Sequence, residues 1–228
     1  MTHTRDASHA TSALIDTLSQ DLRPVAPLAH PIWRALGWVL VALGFASAMV
    51  WAIGVRPDLS DQLRDPRFML EQGAALATGF CAAVAALALT IPASPLWLRI
   101  LPLLPGAAWI SALGVGCLRD WVNAGPAGLV LSPDMACFFY IALVGSLPAL
   151  VMALMLRRGA ILYPNWSLAA GGLAAAAIGN FALRLFHMQD AALMVLVWQM
   201  GSVLLLAAFS GALGHWVLRR SALDPTLS

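Results

Sequence analysis

Six stretches of the chain carry no charged residue: 35–55, 72–98, 100–118, 135–156, 159–183 and 191–218. Each is near or above the ~20 residues that an α-helix needs to cross the hydrocarbon of a bilayer. Inside lipid every backbone N–H and C=O must find its partner within the protein, and runs of this length satisfy that condition as helices. The expected fold is therefore all-α: a polytopic membrane protein with six transmembrane helices. Its bundle spans 32–218, between an amino-terminal arm over 1–31 and a tail over 219–228. Composition agrees, since 61% of the 228 residues are hydrophobic and only 11% are charged, outside the range of an ordinary soluble domain.

The breaks between spans have turn chemistry. Arg56-Pro57-Asp58 and Asp65-Pro66-Arg67 bracket the first loop, Pro92 and Pro95 the second, and Gly125-Pro126 and Ser132-Pro133 the third. Arg157-Arg158-Gly159 with Pro164, and the segment His187 to Asp190, mark the last two turns. A rival reading of Arg34 to Ala48 as a secretory signal, suggested by Ala46-Ser47-Ala48, yields to a full-length span because apolar sequence continues through Val55. Trp33, Trp51, Trp97, Trp121, Trp166 and Trp216 fall near expected span ends, where an indole prefers the headgroup region.

Every basic residue is arginine, the only glutamate is Glu71, and the formal charge is +2. So small a charge points to no direct nucleic-acid partner. With six spans both termini lie on one side. Arg5, Arg23, Arg34, Arg99, Arg157, Arg158, Arg219 and Arg220 fall there, against Arg56, Arg64, Arg67, Arg119 and Arg184 opposite. The positive-inside bias then makes both termini cytoplasmic.

The spans offer little chemistry. Asn180 and Arg184, one turn apart near the outer end of the fifth span, read as an interhelical hydrogen bond and an anchor that snorkels to the interface. His187 and His215 sit at opposite interfaces, the three cysteines at 81, 117 and 137 are scattered singly, and no phosphate loop, GxSxG elbow, HExxH or intramembrane carboxylate pair is present. No catalytic residue, metal, cofactor or small-molecule substrate is expected. Pro148 reads as a kink in the fourth span. The fifth span, alanine- and glycine-rich from Ala169 to Gly179, lets neighbouring backbones approach and is expected at the centre of the bundle.

The arm is different. Leu14, Ile15, Leu18 and Leu22 recur at helical spacing, with Asp16, Thr17, Ser19, Gln20 and Arg23 on other faces. Thr11 or Ser12 can cap the start, and Pro24 ends the helix near Leu22. Isolated helices shorter than ~12 residues are marginal in water, so this one needs something to lie on. Asp16 and Asp21 suit anionic lipid poorly. The ends of the protein's own spans and a soluble partner with an apolar groove remain as supports. Pro24, Pro27 and Pro31 favour an extended spacer, and the nine residues to the first span at ~3.1 Å each would hold the helix up to about 28 Å from the membrane.

The word Leu14-Ile15-x-x-Leu18-x-x-Asp21-Leu22-x-Pro24-Val25-x-Pro27-Leu28, followed by six spans, resembles the membrane anti-sigma factors called negative regulator of sigma F. Cys137 near the start of the fourth span, Leu156-Arg157-Arg158 with Pro164, the small-residue fifth span and Trp198 extend the similarity. The resemblance implies a bacterial inner-membrane protein whose cytoplasmic amino-terminal segment holds an extracytoplasmic-function sigma factor away from RNA polymerase until a stress signal releases it. It implies partner-binding roles for Leu14, Ile15, Leu18, Asp21, Leu22, Pro24 and Val25. It also implies sensing by an outward-facing pair of cysteines, of which Cys137 matches the first. The second finds only Leu183-Arg184-Leu185-Phe186-His187, which leaves Cys117 as the candidate replacement. Two alternatives stay open beside this reading: a small transporter using Asn180 and Arg184, and a structural membrane subunit whose arm packs on its own bundle.

Overall fold

The computed structural model describes residues 11, 13–17, 19, 28–129, 135–160, 162–188 and 191–219. Proline or an aspartate cap opens three of the long helices. Helix α1 (Pro31–Ile53) follows His30, whose side chain accepts from the Ile32 N–H, and α2 is a short turn, Leu59–Gln62. Helix α3 (Pro66–Ala88) is capped by Asp65, which accepts from the Arg67 N–H at 3.0 Å. Proline suits a first-turn position because its missing N–H would have had no helical partner there. Short α4 (Leu96–Ile100) leads into α5 (Leu103–Ala124), then come α6 (Met135–Arg157) and α7 (Pro164–Phe186). The last span starts as α8 (Ala192–Met194), passes through a π turn over Val195–Gln199 and continues as α9 (Met200–Arg219).

Six helical segments are long and apolar enough to cross a membrane: Pro31–Ile53, Pro66–Ala88, Leu96–Ala127, Met135–Arg157, Pro164–Phe186 and Ala192–Leu218. The second departs from expectation. It begins at Pro66 rather than beyond Glu71 and ends at Ala88, so two charged residues, Arg67 and Glu71, lie inside it and the stretch Leu89 to Ser94 is a turn. A charge-free run is a poor guide to a helix whose charges neutralise one another.

Helix α7 is central, packed against α1, α3, α6 and α9. Its small residues permit this. A Cβ on Gly179 would stand 2.5 Å from the carbonyl oxygen of Ile141 on α6, a backbone group with nowhere to move. Helix α3 shares the interior, burying an unbroken Ala82–Ala88 run against α1 and α7. Around these two, α1 presents one buried stripe, Ala35, Trp38, Ala42, Ala46 and Val50, and exposes Leu40 and Trp51. Such apolar surface suits lipid, where close van der Waals packing rather than exclusion of water holds helices together. Helix α6 runs unbroken through Pro148, whose carbonyl accepts from the Trp38 indole N–H at 2.9 Å.

Candidate functional site

The described arm residues 11, 13–17 and 19 are helical and all exposed. Thr17 Oγ1 donates to the Ala13 carbonyl at 2.8 Å and Ser19 Oγ to that of Asp16 at 2.9 Å, bonds that follow the helical turn. Leu14 and Ile15 are each 59% exposed, so their apolar stripe is not covered by the bundle. Leu18, Asp21, Leu22, Pro24 and Val25, the rest of the expected partner-binding set, lie outside the described residues.

At the end of the bundle away from the termini, a buried ion cluster joins the helices. Glu71 on α3 accepts from Arg67 Nε at 2.9 Å through Oε1, and from Arg184 Nη2 on α7 at 3.2 Å through Oε2. The Glu71 and Arg184 side chains are only 4% and 5% exposed. The Arg184 guanidinium also lies 5.2 Å from the Phe68 ring centroid, a favourable cation–π placement. Arg184 therefore does not snorkel: a buried carboxylate one helix away offers it a better partner than the interface. The guanidinium of Arg67 lies against Gly116 of α5, where any Cβ would collide with it. It also stands 3.9 Å from Asp120, whose other oxygen accepts from the Ala192 N–H at 3.3 Å and so reaches the start of α8. Gln72 Nε2 donates to the Phe181 carbonyl at 3.2 Å. Deeper in the same half, Asn180 Oδ1 and both polar side-chain atoms of Gln199 are buried without a hydrogen-bond partner among the described residues.

Sequence reasoning missed this cluster because Glu71 was placed outside the second span. The available signal was Asp65-Pro66, a capped helix start, followed by Arg67 and Glu71 at i,i+4 spacing.

On the loop nearby, Arg56 grips Asp58 with two bonds of 2.7 Å and donates its backbone N–H to Leu185 at the end of α7. The hydrogen bonds from Arg56 hold the Asp58 carboxyl down to about 2, below its ordinary 3.8. Cys117 is half-buried on α5, beside the glycine that seats Arg67, and Cys137 is fully buried on α6 among Ile141, Ala177 and Leu183. Neither is joined in a disulfide.

The end that carries the termini is built otherwise. Arg34 Nη2 donates to the Met155 carbonyl at 2.8 Å and Arg157 Nη2 to that of Val217 at 3.0 Å, both at helix C-terminal ends. Arg99 lies over the Tyr163 ring at 5.6 Å. No group of three or more His, Cys, Asp or Glu side chains able to hold a metal occurs among the described residues.

The sequence model of one protein family, described as "Negative regulator of sigma F", matches residues 18–219. The match takes in all six spans and the lower arm, including Leu18, Asp21, Leu22, Pro24 and Val25. No curated protein and no solved structure matches the chain.

Proposed function

This chain belongs to the negative regulator of sigma F family, a family of negative regulators of a sigma factor, and we propose that it acts as a membrane-bound anti-sigma factor. In this reading the terminal end of the bundle faces the cytoplasm of a bacterium. The arm helix docks an extracytoplasmic-function sigma factor through Leu14, Ile15, Leu18 and Leu22, with Asp21, Pro24 and Val25 completing the contact. Bound there, the sigma factor is withheld from RNA polymerase, and a stress signal received at the opposite end releases it.

The observation that carries the reading is the exposed stripe: Leu14 and Ile15 stand on a helical segment with no cover from the bundle, and a helix that ends near Leu22, as the sequence predicts, needs a support. A helix-in-groove partner supplies the missing apolar surface. Replacing Leu14, Leu18 and Leu22 together by glutamate in the full-length protein should abolish co-purification of the sigma factor while membrane insertion persists. Undiminished co-purification would remove the arm from the mechanism.

Cys137 and Cys117 are the proposed signal-receiving thiols. Burial orders their reactivity: Cys117, half-buried, should take up a membrane-permeant maleimide well before Cys137. If neither the Cys117→Ser nor the Cys137→Ser variant changes release of the sigma factor under oxidant or heavy metal, the thiols play no part in sensing.

A further inference from the structure

On the flank of the ion cluster, α3 and α5 diverge and leave a groove of about 410 Å³ that opens sideways, on the surface we read as lipid-facing. Its mouth carries Arg67 and Arg119, and its walls, Ser111 apart, are apolar, with Leu70, Val115, Ala108 and Ala112 among them. Along α5 the polar and apolar ends are separated. Arg119 lies near the end of the helix away from the termini, and Ala108 lies eleven residues earlier, roughly 16 Å deeper at 1.5 Å per residue. The cleft exists because α5 places alanines at 108 and 112, where larger side chains would fill it. We propose that this groove binds one anionic phospholipid, its phosphate on Arg119 and Arg67 and an acyl chain laid along the alanine-lined floor.

Charge decides in favour of an anionic headgroup. Arg67 is already engaged by Glu71 and approached by Asp120, and Glu71 is shared with Arg184. With Asp65 capping α3, and Glu71 and Asp120 occupied by Arg67 and Arg184, Arg119 is the guanidinium of this corner left to meet a ligand. It is exposed, and among the described residues it meets no carboxylate within ion-pair distance. A planar guanidinium at a helix-lined cleft presents paired N–H donors to phosphate oxygens. A zwitterionic lipid would bring its own ammonium group to the same place and cancel the attraction. An apolar peptide or a second copy of the chain would fit the walls but gain nothing from the arginines.

The proposal rests on the reading that these helices cross a bilayer, and it needs no sigma factor. Its test is native mass spectrometry of the purified full-length protein in detergent, supplied with an equimolar mixture of phosphatidylglycerol and phosphatidylcholine. Wild type should retain one phosphatidylglycerol in preference. Arg119→Gln should reduce that preference about fivefold, and Ala108→Phe, on an exposed helix face, should remove both lipids by blocking the chain-binding end. Equal retention of the two lipids by wild type, or an unchanged preference in Arg119→Gln, would overturn the proposal. A failed arm experiment would leave it untouched.

Discussion

The two ends of this bundle hold their arginines in different ways. Away from the termini, Arg56 meets Asp58, Arg64 lies 3.5 Å from Asp61, and Arg67 and Arg184 converge on Glu71. At the terminal end, Arg34 and Arg157 each donate to a carbonyl instead, those of Met155 and Val217. Carbonyls at helix C-terminal ends are partially negative and welcome a cation, but they do not neutralise it. One end is thus close to neutral and cross-tied, with the ties reaching four helices. The other keeps its positive charge, which is what the positive-inside bias acts upon. Cohesion at one end and net positive charge at the other come from the same residue type, separated by where the carboxylates are placed.

The comparison breaks most readily at Glu71. Glu71→Gln leaves Arg184 buried without its counter-charge and should cost about 3 kcal/mol or more, as loss of one member of a buried pair does. Arg157→Gln at the terminal end, where the side chain is exposed, should cost less than about 1 kcal/mol, the value of a single hydrogen bond. Thermal unfolding of both variants in one detergent measures the contrast, and equal losses would show that the cluster does not tie the distal end.

A smaller effect separates two glycines. Gly179→Ala would drive a methyl group against the Ile141 carbonyl and should destabilise by about 1–3 kcal/mol. At Gly37, near the terminal end of α1, a Cβ would meet nothing within 4 Å, and alanine there should be neutral or gain up to about 1 kcal/mol in helix propensity. The same melts report both, and similar shifts would mean the α6–α7 contact has room for a methyl group.

The smallest expected effect is a pH dependence at Asp58. Its folded value, about 2, lies below its ordinary 3.8. The stabilisation is therefore present in full above the ordinary value and is lost as pH falls through the folded one. Asp58→Asn should flatten the acid limb of the unfolding profile in that window, and an identical limb in both proteins would show that Arg56 gains nothing from the charge.

Much of this architecture is legible in the residues. Six runs of sufficient length fix six helices, and Ala169 to Gly179 marks α7 as the helix others can approach most closely. What the residues hid is electrostatic. Scoring charge as a boundary cut Arg67 and Glu71 out of α3, because pairing across helices has no one-dimensional trace: Arg184 lies 113 positions from Glu71. Half of the candidate site was similarly concealed. The stripe on the arm could be read from spacing, whereas the groove under Arg119 depends on how α3 and α5 diverge.

The π turn at Val195–Gln199 carries a consequence for how the last helix is shared. Accommodating one additional residue in a single turn advances everything beyond it by about 100° around the axis. The segment before the turn can therefore address α5, while the segment after it lies along α7. One continuous helix serves two sets of neighbours, and removing a single residue there would re-aim its whole lower half.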